Sequence, residues 1–143
     1  MRIQEIMQGK GGSIVTASPD TTVRELVALL AEHNIGAVVV SSGESQIAGI
    51  VSERDVVRRL AAGVDILDSA ISEIMTSEVR SASPRDTVDD LMRLMTEHRI
   101  RHVPVVVDGS LQGIVSIGDV VKSRMGELEF ERDQLSSYVS NTQ

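Results

Sequence analysis

The sequence predicts an α+β protein of two βαββα units packed face to face with pseudo-two-fold symmetry, followed by a C-terminal helix. Three observations predict it. The chain repeats itself. Each copy passes through helix-period and strand-period hydrophobicity in the same order. The length, 143 residues, suits one compact unit or two very small ones.

The repeat is carried by three aligned blocks. Ile3-Gln4-Glu5-Ile6-Met7 returns as Ile71-Ser72-Glu73-Ile74-Met75. Ser18 to Ser41 aligns without gaps on Ser83 to Val106, and Gly49 to Val57 aligns on Gly113 to Val121. The spacing between copies shortens only at the glycines Gly9 to Gly12 and at the hairpin, as loop-length differences between two copies of one fold should. The copies are taken as residues 1–62 and 71–126, with a surface linker at 63–70 and a helical extension at 127–143.

Within each copy a short apolar segment (Ser13 to Thr16, Val79 to Ser81) leads to a Ser-Pro turn. The first helix follows. Val23, Leu26, Val27, Leu30 and Ala31 share one face of it, as do Val88, Leu91, Met92 and Met95 in the second copy. Thr22 with Glu25, and Thr87 with Asp90, have capping-box spacing. Two Val-rich strands come next, joined at Ser42-Gly43-Glu44 or Asp108-Gly109-Ser110, and read as buried on both faces. A second helix starts near Glu53 or Ile117. A unit of about 55 residues scarcely supports its own core, so the copies must pack on each other. The segment after Met125 carries Leu128, Leu135, Tyr138 and Val139 at helical spacing, and is expected to dock on the pair or on another subunit.

Composition removes several functions. Cysteine is absent, which excludes disulfides, thiolate metal sites and cysteine nucleophiles. The net charge is −7, and Phe130 and Tyr138 are the only aromatics, so neither a basic face nor a base-stacking platform for nucleic acid is expected. No apolar run reaches the length of a membrane span. The three histidines lack metal-site spacing. His33 and His98, each near a helix end, read as structural; His102 is the functional candidate. Gly9 to Gly12 lacks a P-loop ending and reads as a flexible loop.

The most specific motif is a doubled Gly-Ile-Val-Ser-x-x-Asp, at Gly49 to Asp55 and Gly113 to Asp119. It describes a strand ending in Ser that turns into a helix with Asp in its first turn. One reading is purely structural: Ser at the N-cap and Asp at N3 close a capping box worth about 1 kcal/mol. The other is a ligand site, in which helix N–H groups meet a phosphate and the Asp accepts from two vicinal ribose hydroxyls. The two readings are compatible.

These junctions, the Arg-His-Val-Pro-Val strand (Arg101 to Val105) and the Ser-Pro before each first helix resemble tandem CBS domains, the cystathionine-β-synthase-type repeat, paired as a Bateman module. The resemblance covers about residues 1–125. It implies units packed through their sheets into a disc, with two clefts for adenosyl ligands and no common catalytic activity. It implies that Asp55 and Asp119 hold ribose hydroxyls and that Ser52 and Ser116 lie at ribose or phosphate. Thr16 and Ser81 would offer backbone groups to adenine, and Val39 and Pro104 would line the base. Arg101 and His102 match a basic pair that neutralises phosphate, while Arg54 in one junction faces Gly118 in the other. The phosphate charge should therefore differ between the sites.

The expected function is that of a cytoplasmic, non-enzymatic regulatory protein. It needs no obligatory cofactor, binds AMP, ADP, ATP or NAD, and passes their occupancy to an unknown effector protein. A homodimer is implied by the resemblance; no nucleic acid or membrane partner is expected. The alternative is an interaction module with vestigial clefts.

Overall fold

The structure, a computed structural model, describes residues 1–10, 14–43, 46–63 and 65–141. Helix α1 (Ile3–Lys10) opens the chain. Strand β1 (Thr16–Ala17), helix α2 (Val23–His33), strands β2 (Ala37–Ser41) and β3 (Ile47–Ser52) and helix α3 (Glu53–Ala61) follow. A 3₁₀ turn at Ile71–Glu73 precedes helix α4 (Val88–His98), strands β4 (His102–Val107) and β5 (Ser110–Ser116) and helix α5 (Ile117–Asn141).

The two sheets share one plan. β1 runs parallel to β2, and β2 antiparallel to β3. β4 and β5 form the matching hairpin, closed by Asp108 and Gly109, both at positive φ as a two-residue turn requires. The counterpart of β1 in this half is reduced to a bridge from Ala82 to Val105. The leading strand expected at Ser13 to Thr16 thus lies at Thr16–Ala17, with Ser13 outside the described residues. The one expected at Val79 to Ser81 shrinks to Ala82. The two units pack through their sheets: Val39 and Pro104 alternate onto the faces turned away from their own helices and are nevertheless buried.

Thr87 and Asp90 close the capping box that the spacing predicts. At the other helix only half of it forms: Thr22 Oγ1 accepts from the Glu25 N–H, and the Glu25 carboxylate takes the Thr22 hydroxyl rather than its backbone N–H. Helix α2 ends at Asn34 and α4 at Arg99, both in the left-handed region.

The cores are exchanged between the sequence repeats. One cluster joins Leu26, Val38, Val51 and Val56 to Ile71 and Ile74. The other joins their counterparts Leu91, Val103, Val115 and Val120 to Ile3 and Ile6. Each repeat therefore contributes its leading segment to the other repeat's core. Backbone hydrogen bonds fasten it there: Ile3 and Gln4 N–H donate to the Asp86 and Pro84 carbonyls, and Ile71 and Ser72 N–H to those of Thr21 and Pro19. Fully burying an isoleucine contributes about 1.5–3 kcal/mol, so the exchange ties the halves firmly.

Four local expectations change. The glycine stretch is not a loop at its start, because α1 runs on through Gly9 to Lys10; Gly11 and Gly12 lie outside the described residues. The linker is not a loose surface connection, because Ile66 is buried in the first core and the Leu67 and Ser69 carbonyls accept from Arg24 and Val23 at the start of α2. The second helix of repeat 2 and the extension are one continuous 25-residue helix, α5. Beyond Gly126 that helix leaves Leu128, Phe130, Leu135, Tyr138 and Val139 exposed rather than docked on the pair.

Candidate functional site: two unequal clefts

Both Gly-Ile-Val-Ser-x-x-Asp motifs build the same junction. The Ser52 N–H donates to Asp55 Oδ2 at 2.9 Å, and the Asp55 N–H to Ser52 Oγ at 3.4 Å. At the other junction the Ser116 N–H donates to Asp119 Oδ2 at 2.8 Å, and the Asp119 N–H to Ser116 Oγ at 3.2 Å. The capping reading therefore holds for both pairs. It consumes Oδ2 and leaves each Oδ1 outside the hydrogen bonds of the described residues.

The glycine of the motif has its own cause. The chain from the other half crosses β3 there: Ile50 and Thr76 exchange two backbone hydrogen bonds of 2.9 and 3.0 Å. A Cβ on Gly49 would lie 2.7 Å from both Met75 Sδ and the Thr76 carbonyl oxygen. A Cβ on Gly113 would meet only Met7 Cε, at 3.1 Å.

Beside Asp55 lies a cleft of about 400 Å³. Repeat 1 lines it with Gly36, Ala37, Ile50, Ser52, Glu53, Arg54, Asp55 and Arg58; the rest comes from Thr76, from Glu78 to Arg80 and from His98 to His102. Five arginines (Arg54, Arg58, Arg80, Arg99 and Arg101) face three carboxylates (Glu53, Asp55 and Glu78). None of these guanidiniums is in an ion pair among the described residues. A cationic cleft in a chain of net charge −7 is a local arrangement, made by joining the arginines of both repeats.

His102 sits at the cleft's inner edge, half-buried. A Cβ on Gly36 would lie 3.2 Å from its ring and 3.3 Å from Glu53 Oε1, so the Gly of repeat 1 is the space that repeat 2's imidazole needs. Burial pulls the His102 pKa below the ordinary histidine value. The Glu53 and Asp119 charges oppose this, and those of Lys10 and Arg101 reinforce it.

The Asp119 side differs. Lys10 Nζ lies 2.6 Å from Asp119 Oδ2 and 2.6 Å from the Ile114 carbonyl oxygen. Partial burial would raise the Asp119 pKa. The hydrogen bonds from Lys10 and Ser116, with the Lys10 charge, outweigh it and hold the carboxyl below its usual value. The cavity that includes Asp119 is lined by Lys10, Lys122, Met1, Ile6 and Phe130, among others.

The candidate residues thus distribute unevenly. Ser52, Arg54, Asp55, Arg101 and His102 surround one cavity. Thr16 lines a separate cavity from Asp119, and neither Ser116 nor Gly118 lines the cavity that includes Asp119. Val39 and Pro104 are buried on the inter-sheet faces, and Ser81 adjoins the lining residue Arg80. The sequence reading missed Glu53, Glu78, Arg80 and His98 as lining groups. His98, read as structural, ends α4 at the cleft wall. Arg99 had a signal, since repeat 1 has Asn34 there. Glu78 and Arg80 lie in the leading segment, whose crossing to the other half no local pattern reveals.

Among the described residues no group of three or more His, Asp or Glu could hold a metal ion, and no helix is long and apolar enough to cross a membrane.

Comparison with known proteins agrees with this fold. The family model described as CBS domain matches residues 3–62 and 71–126. The mitochondrial CBS domain-containing protein CBSX3 of Arabidopsis thaliana is 39% identical, over 96% of this chain and 71% of its own. Among solved structures, the CBS-domain protein ATU1752 of Agrobacterium tumefaciens is 42% identical at a TM-score of 0.83, covering 87% of this chain and 99% of that one. PAE2072 of Pyrobaculum aerophilum, solved with AMP, is 31% identical at a TM-score of 0.75, covering 83% and 89%. The CBS pair of protein MJ0100, solved with 5′-methylthioadenosine and S-adenosylmethionine, is 26% identical at 0.79, covering 89% and 98%. With two matched copies spanning most of its length, the chain belongs to the CBS-domain family as a tandem pair.

Proposed function

We propose that this CBS pair is a non-enzymatic regulatory module that binds an anionic adenosyl ligand in the Asp55 cleft and passes its occupancy to another protein. The observation that carries this is the set of five guanidiniums without carboxylate partners around one capped aspartate. A charge-assisted hydrogen bond to phosphate contributes about 1.5–3 kcal/mol, and arginine's fork suits phosphate oxygens. Asp55 Oδ1 is the acceptor for the ribose hydroxyls, and the Arg54 N–H, which has no partner inside α3, faces the phosphate side.

Charge also ranks the ligands. AMP, ADP, ATP and the diphosphate of NAD match the arginines, whereas the sulfonium of S-adenosylmethionine meets like charge. The AMP complex of PAE2072 supports this ranking more than the MJ0100 complex does. No arranged nucleophile and base supports turnover. A second copy of the chain is the partner proposed for the exposed Val121, Met125 and Leu128 on α5. The cytoplasm remains the compartment proposed from the absence of cysteine, with the mitochondrial relative as the competing location.

Calorimetric titration with ATP, AMP, NAD and 5′-methylthioadenosine tests the reading. Saturable binding that ranks with phosphate charge is expected. One observation favours the rival scaffold reading: the caps alone account for both Ser–Asp pairs. Absence of binding by every adenosyl compound would establish that rival.

A further inference from the structure

We propose that Lys10 sets the ligand specificity of the Asp119 cleft, which admits an adenosyl compound only if that compound brings a phosphate to take the Lys10 ammonium. The inference rests on the nucleotide-binding reading above.

The comparison of the clefts carries it. At the Asp55 cleft the Ile50 carbonyl accepts from the Thr76 backbone N–H, and Asp55 has no cation on it. At the Asp119 cleft a side chain replaces that backbone donor: Lys10 Nζ bonds the Ile114 carbonyl and the Asp119 carboxylate together. The difference follows from the leading segments. After Ile71–Glu73 the chain straightens to cross β3, whereas α1 stays helical through Lys10 and delivers the ammonium to the junction. The register that pairs Met7 with Met75 sets Lys10 against Glu78, an opposite charge. Lys10 is thus a tethered cation in the space between carbonyl and carboxylate.

Asp119 Oδ1 is open, but a ribose drawn to it enters the space beside the ammonium held on Oδ2 and has to push it aside. A neutral nucleoside offers the ammonium nothing in exchange, and a cationic one repels it. A nucleotide offers phosphate oxygens within reach of the same flexible stem. The cost of stranding one partner of a charged pair is what makes the exclusion selective.

The test compares the wild type with Lys10→Met and Lys10→Arg by two-dimensional amide NMR. The probes are ATP and 5′-methylthioadenosine, and the amides of Gly118, next to Asp119 in its junction, and of Arg54, next to Asp55, report the two aspartates separately. In the wild type, ATP should shift both amides and 5′-methylthioadenosine should leave Gly118 unmoved. In Lys10→Met, 5′-methylthioadenosine should bind at Gly118 at least about tenfold more tightly than in the wild type, and ATP should bind there more weakly. Lys10→Arg, which keeps the charge, should behave as the wild type. Equal responses of Gly118 to 5′-methylthioadenosine in the wild type and Lys10→Met overturn the proposal, whether both bind or neither does. If Arg54 still responds to ATP, the nucleotide-binding reading survives that failure. If no amide responds to either probe, both readings fall.

Discussion

The Asp55 and Asp119 junctions share a strand end, a serine cap, an N3 aspartate and an aligned glycine, yet the cations beside them are arranged differently. One carboxylate shares its cleft with five arginines that form no ion pair among the described residues; the other is held by Lys10. Two copies of one backbone junction therefore carry different charged neighbours. Those neighbours come from the other repeat and from the leading segments, which the exchange of cores carries across. Duplication supplies two scaffolds, and a few substitutions at their shared border make them unequal.

The largest expected effect tests the exchange itself. Ile3 and Ile71 are both 0% exposed in counterpart positions. Ile3→Ala and Ile71→Ala should each lose about 2–5 kcal/mol of stability in urea unfolding. A small loss for Ile3→Ala alone would break the equivalence of the halves.

The motif glycines should separate next. Gly49→Ala forces a Cβ onto a backbone oxygen and should cost about 1–3 kcal/mol. Gly113→Ala meets only the end of the flexible Met7 side chain and should cost less than about 1 kcal/mol. Equal thermal shifts for the two variants would contradict the asymmetric crossing.

Arg101→Ala should weaken ATP binding about tenfold and AMP binding less, with the gap narrowing as salt is added. Calorimetry at two ionic strengths measures it, and equal losses for the two nucleotides would place Arg101 away from the outer phosphates.

The smallest effect is the pH dependence. Because the His102 pKa is lowered in the fold, protonating the imidazole opposes folding. That contribution is complete above the ordinary histidine value and is lost as pH falls through the lowered one. A bound phosphate reverses the preference for the neutral ring, so ATP binding should take up a proton and tighten modestly as pH drops from about 8 towards about 6. His102→Gln should flatten the profile; calorimetry in buffers of different ionisation heat counts the proton.

Much of the fold was legible because its signals are local. The helix faces, apart from Val27, Ala31 and Met92, which stay exposed, the Thr22 and Thr87 caps and the Asp108-Gly109 turn each depend on residues within one turn or hairpin. The unequal placement of basic residues in the two copies was legible too, as Arg99, Arg101 and His102 stand against Asn34, Gly36 and Ala37. Their gathering with Arg54 and Arg58 in one cleft was not, because it follows from how the two sheets pack. The burial of Ile66 and the crossing of Ile3 and Ile71 are tertiary for the same reason. Lys10 was hidden in what read as a glycine loop; only the continuation of α1 through Gly9 reveals it. The fusion of α5 across Gly126 was missed because a single glycine costs a helix only about 1 kcal/mol and the flanking residues carry it.

The most direct measurement compares Asp55→Asn with Asp119→Asn in calorimetric titrations with ATP. Asparagine keeps the helix cap, so both variants should fold. The account predicts that Asp55→Asn removes the tight ATP heat and that Asp119→Asn leaves it in place. Tight ATP binding that survives in Asp55→Asn, or that is lost equally in both variants, would contradict it.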